Sequence, residues 1–543
     1  MAVDESKRLA INASIVMGAT IMSRLTGFVR EMLIPARFGV GHVADMYDVA
    51  FKFPDLMFNL LIGGAFSAAL IPVFSGSISK GEEKEGWDAI SKFMNAVIVL
   101  MVVICVVGSI FSRQLVSIIA AGWDPNNPEE LEMIIVASRL TRVIFPSVAF
   151  LMMAAFANSV LYSYQRFASA ALGPALYNVL CISSISLLST QNPDEYYGVE
   201  RVVYGVMLSS LAYSLFQLRF AFKNIKGNYV FRIKLKDKGF QRVFGLAVPS
   251  MISSSVIQIN TMITTGFGSL FAFGSIAAIR MADRTWQMPL GIIAQSMGVA
   301  LLPTLSGEIV NDDRTGYKKT LAQGVKTVLL LTIPCAMACI ILNSMIMRTL
   351  FQFSRKVTEE DIRLTATILI FYSTSLITQS VNTILTRAFY ACNETMLPMM
   401  TGVSIIALNI LLSAAFYFVT PFGVFGMALA YSISSVVNTV LLVKFLTKRF
   451  SGLNLTEGML GFLKSVVIAV AAMSAVLICY RALLPNSLII GEFSIVLKVK
   501  QVVTLMAAAI IGAGVYLFII SKMRIEEYAL VAGMLKSKIL RKK

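Results

Sequence analysis

Apolar and polar positions along the chain fall into long blocks. Mostly apolar runs of roughly 20 residues, the length that crosses a bilayer core, recur along the whole sequence. They lie near 10–34, 46–73, 89–111, 132–160, 167–189, 201–222, 243–270, 275–305, 320–344, 362–389, 398–419, 423–446, 460–482 and 498–521. No stretch between them is long enough to fold as a soluble domain. The pattern predicts an all-α polytopic membrane protein of about fourteen transmembrane helices. The runs at 46–73 and 275–305 are interrupted by proline and charge.

Composition agrees with this class. The 543 residues are 57% hydrophobic and 14% charged, whereas a soluble domain is about 45–50% apolar and about 25% charged. The net charge of +17 would fit a nucleic-acid partner, but its placement argues for topology instead. The connection at 223–242 carries Lys223, Lys226, Arg232, Lys234, Lys236, Lys238 and Arg242 against Asp237, and 444–449 and 522–543 are also basic. Alternate loops are acidic, with Asp124, Glu129, Glu130 and Glu132 in one and Asp194, Glu195 and Glu200 in another. Basic loops stay cytoplasmic, which places both termini inside, as an even number of spans requires. Part of this charge also suits contact with anionic lipid. The first apolar run continues into Arg24 and Arg30 without a small-residue cleavage site, unlike a signal peptide.

The chain repeats itself. Arg139-Leu140-Thr141 returns as Arg363-Leu364-Thr365, and Asn158-Ser159-Val160-Leu161 as Asn382-Thr383-Ile384-Leu385, each 224 residues later. Pro174 and Pro398 share that offset, and Ala69-Leu70-Ile71-Pro72 returns as Ala300-Leu301-Leu302-Pro303 at 231. A unit of six spans keeps its orientation on duplication. The expectation is two six-helix lobes, 1–225 and 226–450, related by a pseudo-twofold along the membrane normal. Residues 451–543 add two transmembrane helices and a basic tail. Transporters built this way bind substrate between halves and alternate access by rocking.

Charge inside the membrane marks function by default. Arg24, Arg30 and Glu31 belong to the first run; Asp45, Asp48, Lys52 and Asp55 to the second; Arg280, Asp283 and Arg284 to the eighth; Arg387 to the tenth. Asp48 and Lys52 are spaced i,i+4 and read either as an ion pair or as cavity groups. Asp45 reads as a cavity acid or a helix cap. Arg280, Asp283 and Arg284 share a face, so Asp283 is expected to hold one arginine. Arginine suits phosphate because its planar fork stays charged and donates two parallel hydrogen bonds. Glycine and proline crowd the same runs at Gly27, Pro35, Pro54, Gly63, Gly64, Pro72, Pro289, Gly291 and Pro303. The six cysteines read as small buried side chains; Cys335 and Cys339 share a face without further ligands, so no metal is expected. His42 reads as a loop residue, and no phosphate-loop glycine motif or metal cluster points to an enzyme.

The stretch Ser23-Arg24-Leu25-Thr26-Gly27-Phe28-Val29-Arg30-Glu31, then Phe38-Gly39, Asp45 and Ala50-Phe51-Lys52-Phe53-Pro54-Asp55, resembles the MurJ (MviN) family of lipid II flippases. So do Gly64-Ala65-Phe66-Ser67 with Pro72, and Ala282-Asp283-Arg284 followed by Leu301-Leu302-Pro303-Thr304-Leu305-Ser306. The resemblance implies the multidrug/oligosaccharidyl-lipid/polysaccharide exporter fold. It implies a multi-pass protein of the bacterial cytoplasmic (inner) membrane, working in peptidoglycan biosynthesis on undecaprenyl diphosphate-disaccharide-pentapeptide. The substrate-binding expectation is Arg24, Arg30, Glu31, Asp45, Lys52, Asp283 and Arg284, with the last two helices forming a groove for the polyprenyl tail. The expected partners are that glycolipid and membrane lipids; the chain is expected to act as a monomer, without cofactor or nucleic acid. Phe58-Asn59 stand where many members carry an arginine, and the family's acid near Gly63 is absent. Some members bind sodium through acids of the seventh and eleventh spans; here Gln258, Asn260, Gln379, Asn382 and Asn409 are neutral, and no sodium site is expected. Alternatives are a flippase of another polyprenyl-linked glycan or a cation-coupled small-molecule exporter.

Overall fold

The computed structural model describes residues 2–60, 69–189, 195–392, 394–449, 458–484 and 494–523, with Phe66, Ile525, Glu527 and Tyr528. Gly63, Gly64, Ala65, Ser67, Asp194 and most of the basic tail lie outside the described residues. Among the described residues the chain is helical, with no strand. In order these helices are α1 (Ala2–Phe38), α2 (His42–Asn59), α3 (Ile71–Ser79), α4 (Glu83–Ile110), α5 (Ser112–Ile119) and α6 (Pro128–Ser163). Then come α7 (Phe167–Leu188), α8 (Glu195–Ile225), α9 (Lys238–Gly268), α10 (Ser275–Val310), α11 (Arg314–Ile341) and α12 (Asn343–Phe351). The last are α13 (Glu359–Ala391), α14 (Met396–Val419), α15 (Phe425–Arg449), α16 (Met459–Leu483) and α17 (Ile495–Lys522).

Ten of these helices are long and apolar enough to span a bilayer: α4, α6, α7, α10, α11, α13, α14, α15, α16 and α17. The described residues of the other four expected spans include the helices α1, α2, α8 and α9, but each mixes charge or several hydroxyl and amide side chains into the apolar run. Helix ends follow their capping chemistry. Asn127 caps α6 by accepting from the Glu129 amide, with Pro128 as first helical residue. Thr358 and Asp361 form a reciprocal capping box at α13. Each of these caps follows a short helix, α5 or α12, so both repeats have the same order: long helix, short helix, capped long helix.

The chain divides into two compact units, Met1–Ala277 and Ala278–Lys543. In the first, α6 packs on α8 and α2, α1 lies along α7, and α9 packs against α2, α4 and α5. This unit therefore takes in α9 as well as the six spans assigned to the 1–225 lobe. Its larger apolar cores among the described residues centre on Trp87, Phe93 and Phe156 and on Met46, Trp123 and Leu140. In the second unit α13 packs on α11 and α15, and α16 packs on α11 and α17. One core runs through it, from Tyr317 and Leu385 to Val466, Met473 and Tyr516. The appended pair thus shares the core of this unit.

Both units contain a buried polar junction at the repeated asparagine. In the first, Asn158 on α6 donates to the Tyr213 hydroxyl at 2.9 Å and accepts from Gln217, both on α8. Gln217 also donates to the Ala170 carbonyl at 3.2 Å, and Gly173 leaves room for its amide. In the second, Asn382 on α13 donates to the Ser435 carbonyl at 3.3 Å and accepts from the Thr439 hydroxyl at 2.8 Å, both on α15. An asparagine facing an i,i+4 pair on the helix two elements on is common to both.

Candidate functional site

On α1 the charged motif splits between two faces. Asn178 of α7 donates to the Ser23 carbonyl at 3.0 Å. Gly27 faces the same amide, so a Cβ there would sit 3.3 Å from Asn178 Nδ2. One turn on, Arg30 pairs with Glu31 at 3.0 Å, and its guanidinium stands 5.8 Å from the centre of the Tyr177 ring. Arg30 thus has an acid beside it on α1 and an aromatic face on α7. Arg24 projects from the exposed part of α1, beside exposed Ile21 and Leu25.

On α2, Asp45 is buried, and both its oxygens accept backbone N–H groups, from Gly274 at 2.7 Å and Ala277 at 2.8 Å. These amides belong to the first turn of α10 and the residue before it, where the helix dipole favours a carboxylate. Gly274 has φ +89°, and a Cβ on it would stand 2.7 Å from the Val40 carbonyl oxygen, so only glycine fits. Asp48 is buried, whereas Lys52 is half-buried and Asp55 exposed. Pro54 leaves the Ala50 carbonyl without its helical donor, and Thr141 of α6 reaches that oxygen at 3.4 Å.

On α10, Asp283 accepts from the Trp286 indole at 3.0 Å and from the Gln287 amide at 2.6 Å. The expectation that Asp283 holds a neighbouring arginine is thus replaced by bonds to the i+3 and i+4 side chains. Trp286 is buried against Tyr372 and Tyr431, and Gln379 donates to the Tyr431 hydroxyl at 3.0 Å. Arg284, next to this anchored group, is exposed.

The structure brings Arg30 and Glu31 together on α1 and places Asp283 and Arg284 side by side on α10. Asp45 is committed to backbone amides rather than to open space. No cluster of three or more His, Cys, Asp or Glu suited to a metal is found among the described residues. Gln379 and Asn382, considered for a sodium site, are both engaged with α15. Of the cysteines, Cys181 is buried, Cys479 is exposed and the rest are half-buried, so burial is not general. His42 is the first residue of α2 rather than a loop residue, edge-on to Tyr196 at 5.7 Å.

Three features escaped sequence reading. One is the pair of junctions at Asn158 and Asn382. Another is a strap on α4: Lys92 pairs with Asp88 and, at 2.9 Å, with Asp237, the N-cap of α9. The Lys92 bond holds the Asp237 carboxyl below the usual carboxylate range. The third is a buried cationic pair in the second unit. Arg348 on α12 bonds Gln352 at 3.0 Å and Glu359. Lys498 on α17 donates to the Arg348 and Gln352 carbonyls at 2.8 and 2.9 Å and sits 3.9 Å from the Phe353 ring centre. That ammonium closes the C-terminal end of α12.

Long apolar helices in two units, with arginines on the proline-containing helices α1 and α10, define a multi-pass membrane protein of the transporter class. The same fold is found in an inward-facing multidrug resistance MATE family transporter of the MOP superfamily, which superposes with a TM-score of 0.66 over 81% of this chain and 98% of its own at 15% identity. Residues 34–516 match the family model of the lipid II flippase MurJ, and the chain belongs to that family. It is similar to the probable lipid II flippase MurJ of Buchnera aphidicola subsp. Acyrthosiphon pisum (31% identity over 79% of this chain and 82% of the relative). It is also similar to the lipid II flippase MurJ of Burkholderia cenocepacia (27%, 80% and 83%). A solved lipid II flippase MurJ in an inward closed conformation matches with a TM-score of 0.73 and 25% identity over 93% of this chain and 97% of its own. Asp45, Lys52, Asp283 and Arg284 lie within the matched residues; Arg24, Arg30 and Glu31 just precede them.

Proposed function

We propose that this chain moves lipid II from the cytoplasmic to the outer leaflet of the bacterial inner membrane by alternating access, without covalent chemistry. The family match over residues 34–516 carries this reading. Arg24, Arg30 and Arg284 supply cations for the diphosphate, with Lys52, Glu31 and Asp283 as their polar surroundings. Asp45 serves the same site indirectly, by fixing the start of the helix that bears Arg284. An anionic headgroup neutralises the positive charge of the arginines that bind it. Both termini are placed in the cytoplasm by the basic loops, the working unit is a single chain, and no nucleic acid or cofactor takes part. The repeat divides the chain into lobes 1–225 and 226–450, followed by the appended pair with its polyprenyl groove.

Complementation tests this. In a bacterium whose own lipid II flippase is switched off, the chain should restore growth and externally accessible lipid II. Arg24→Ala and Arg284→Ala should each abolish rescue while inserting normally; full activity in both would sink the assignment. One observation favours a second reading, another polyprenyl-linked glycan: Phe58 and Asn59 stand where many members carry arginine. Membrane insertion without rescue would support it.

A further inference from the structure

The connector between α8 and α9 has a feature that transport does not require. From Phe231 to Lys236 apolar and cationic residues alternate: Phe231, Ile233 and Leu235 with Arg232, Lys234 and Lys236. The segment forms no helix or strand: the Arg232 amide bonds back to the Val230 carbonyl at 3.0 Å and the Asp237 amide to the Lys234 carbonyl at 3.2 Å. Among the described residues the apolar set is left exposed: Phe231 is 89% exposed, Leu235 58% and Ile233 48%. The three cations are exposed too.

The backbone, by contrast, is held. Asn95 of α4 donates to the Val230 carbonyl at 2.8 Å and the Arg232 carbonyl at 3.1 Å, and Tyr229 donates back to Asn95 at 2.7 Å. Ser91 accepts from the Val230 amide at 3.2 Å, and Lys92 pairs with Asp237 at the far end. Fixed main chain with uncovered apolar and basic side chains is a presented surface.

We propose that residues 231–236 dock on anionic phospholipid headgroups of the cytoplasmic leaflet. Phe231, Ile233 and Leu235 enter the boundary between headgroups and acyl chains, and Arg232, Lys234 and Lys236 extend to the phosphates. Charge complementarity selects a lipid surface: the segment has three cations and no acid, and its apolar residues are spaced singly rather than gathered into a protein-binding pocket. The proposal rests on the cytoplasmic placement of this connector given above.

The test uses the full chain in nanodiscs of phosphatidylcholine alone or with one-third phosphatidylglycerol, and follows trypsin cleavage after Arg232, Lys234 and Lys236. Cleavage should be about tenfold slower with phosphatidylglycerol. The protection should vanish at about 1 M salt, where the screening length is ~3 Å, and in the Phe231→Ser/Leu235→Ser variant. Equal rates in the two wild-type discs overturn docking whatever the variant does. Protection that needs added membrane protein overturns it in favour of a protein partner. Trypsin added outside intact spheroplasts checks orientation separately: cleavage there overturns the cytoplasmic placement, a result the nanodisc rates do not depend on.

Discussion

Half-buried Asn158 and buried Asn382 occupy the same place in the repeat yet are satisfied differently. Asn158 relies on two large side chains, Tyr213 and Gln217, in a space kept open by Gly173. Gln217 is fully buried, and its Oε1 has no hydrogen-bond partner among the described residues. Asn382 meets small hydroxyl residues, and the Thr439 hydroxyl also bonds the Ser435 carbonyl of its own helix at 3.0 Å. A hydroxyl with a carbonyl four residues back keeps a partner when its asparagine is lost; Gln217 keeps only its bond to the Ala170 carbonyl, and a long phenol does not turn back to its own helix. Duplication has therefore preserved a crossing point but not its tolerance to change.

That difference can be broken from the first unit. Asn158→Ala should destabilise most, by about 2–3 kcal/mol, because Tyr213 and Gln217 lose a buried partner together; melting of the purified protein in detergent measures it. Gly173→Ala comes next, at about 1–3 kcal/mol, since its methyl would overlap Gln217 and Tyr213. A melt unchanged from wild type would show that α7 moves away freely. Asn382→Ala should cost least, about 0.6 kcal/mol for each of its two interhelical hydrogen bonds, a typical value in a membrane protein. Should it equal Asn158→Ala, the contrast between the units fails.

A smaller effect lies outside the membrane. The Asp237 carboxyl is lowered by Lys92, so its folded-state pKa is below the unfolded one. Its stabilisation is present above the unfolded carboxylate pKa of about 3.9 and fades as pH falls through the lower folded value. The stability gap between wild type and Asp237→Asn should be constant from neutral pH down to about 4 and shrink below it. A gap that widens in acid would reverse the sign of this coupling.

Most of the architecture was legible because the bilayer imposes it: long apolar runs, acidic and basic loops, and a repeated Asn with its neighbours. The partners of that Asn were not. Tyr213 and Gln217 share no letters with Ser435 and Thr439, and they lie 222 residues apart rather than 224, so alignment at one offset misses them. Asp45 was undecided for another reason: it bonds backbone amides, which carry no side-chain signature. Asp283 misled because opposite charges at helical spacing suggest an ion pair, whereas Trp286 and Gln287 offered donors at the same spacing. The arginine motif on α1 stood out because such charge is costly in an apolar run.

Lys498 has a practical consequence for anyone reshaping this protein. Its ammonium holds the carbonyl end of α12 from a helix nearly 150 positions further along the chain. A protein shortened to finish after α16 would strip that clamp from a helix it never touched in sequence. The last helix is thus a poor place to trim, and a Lys498→Met swap is the gentler way to loosen it, since the alkyl stem is kept while the two carbonyl bonds are lost.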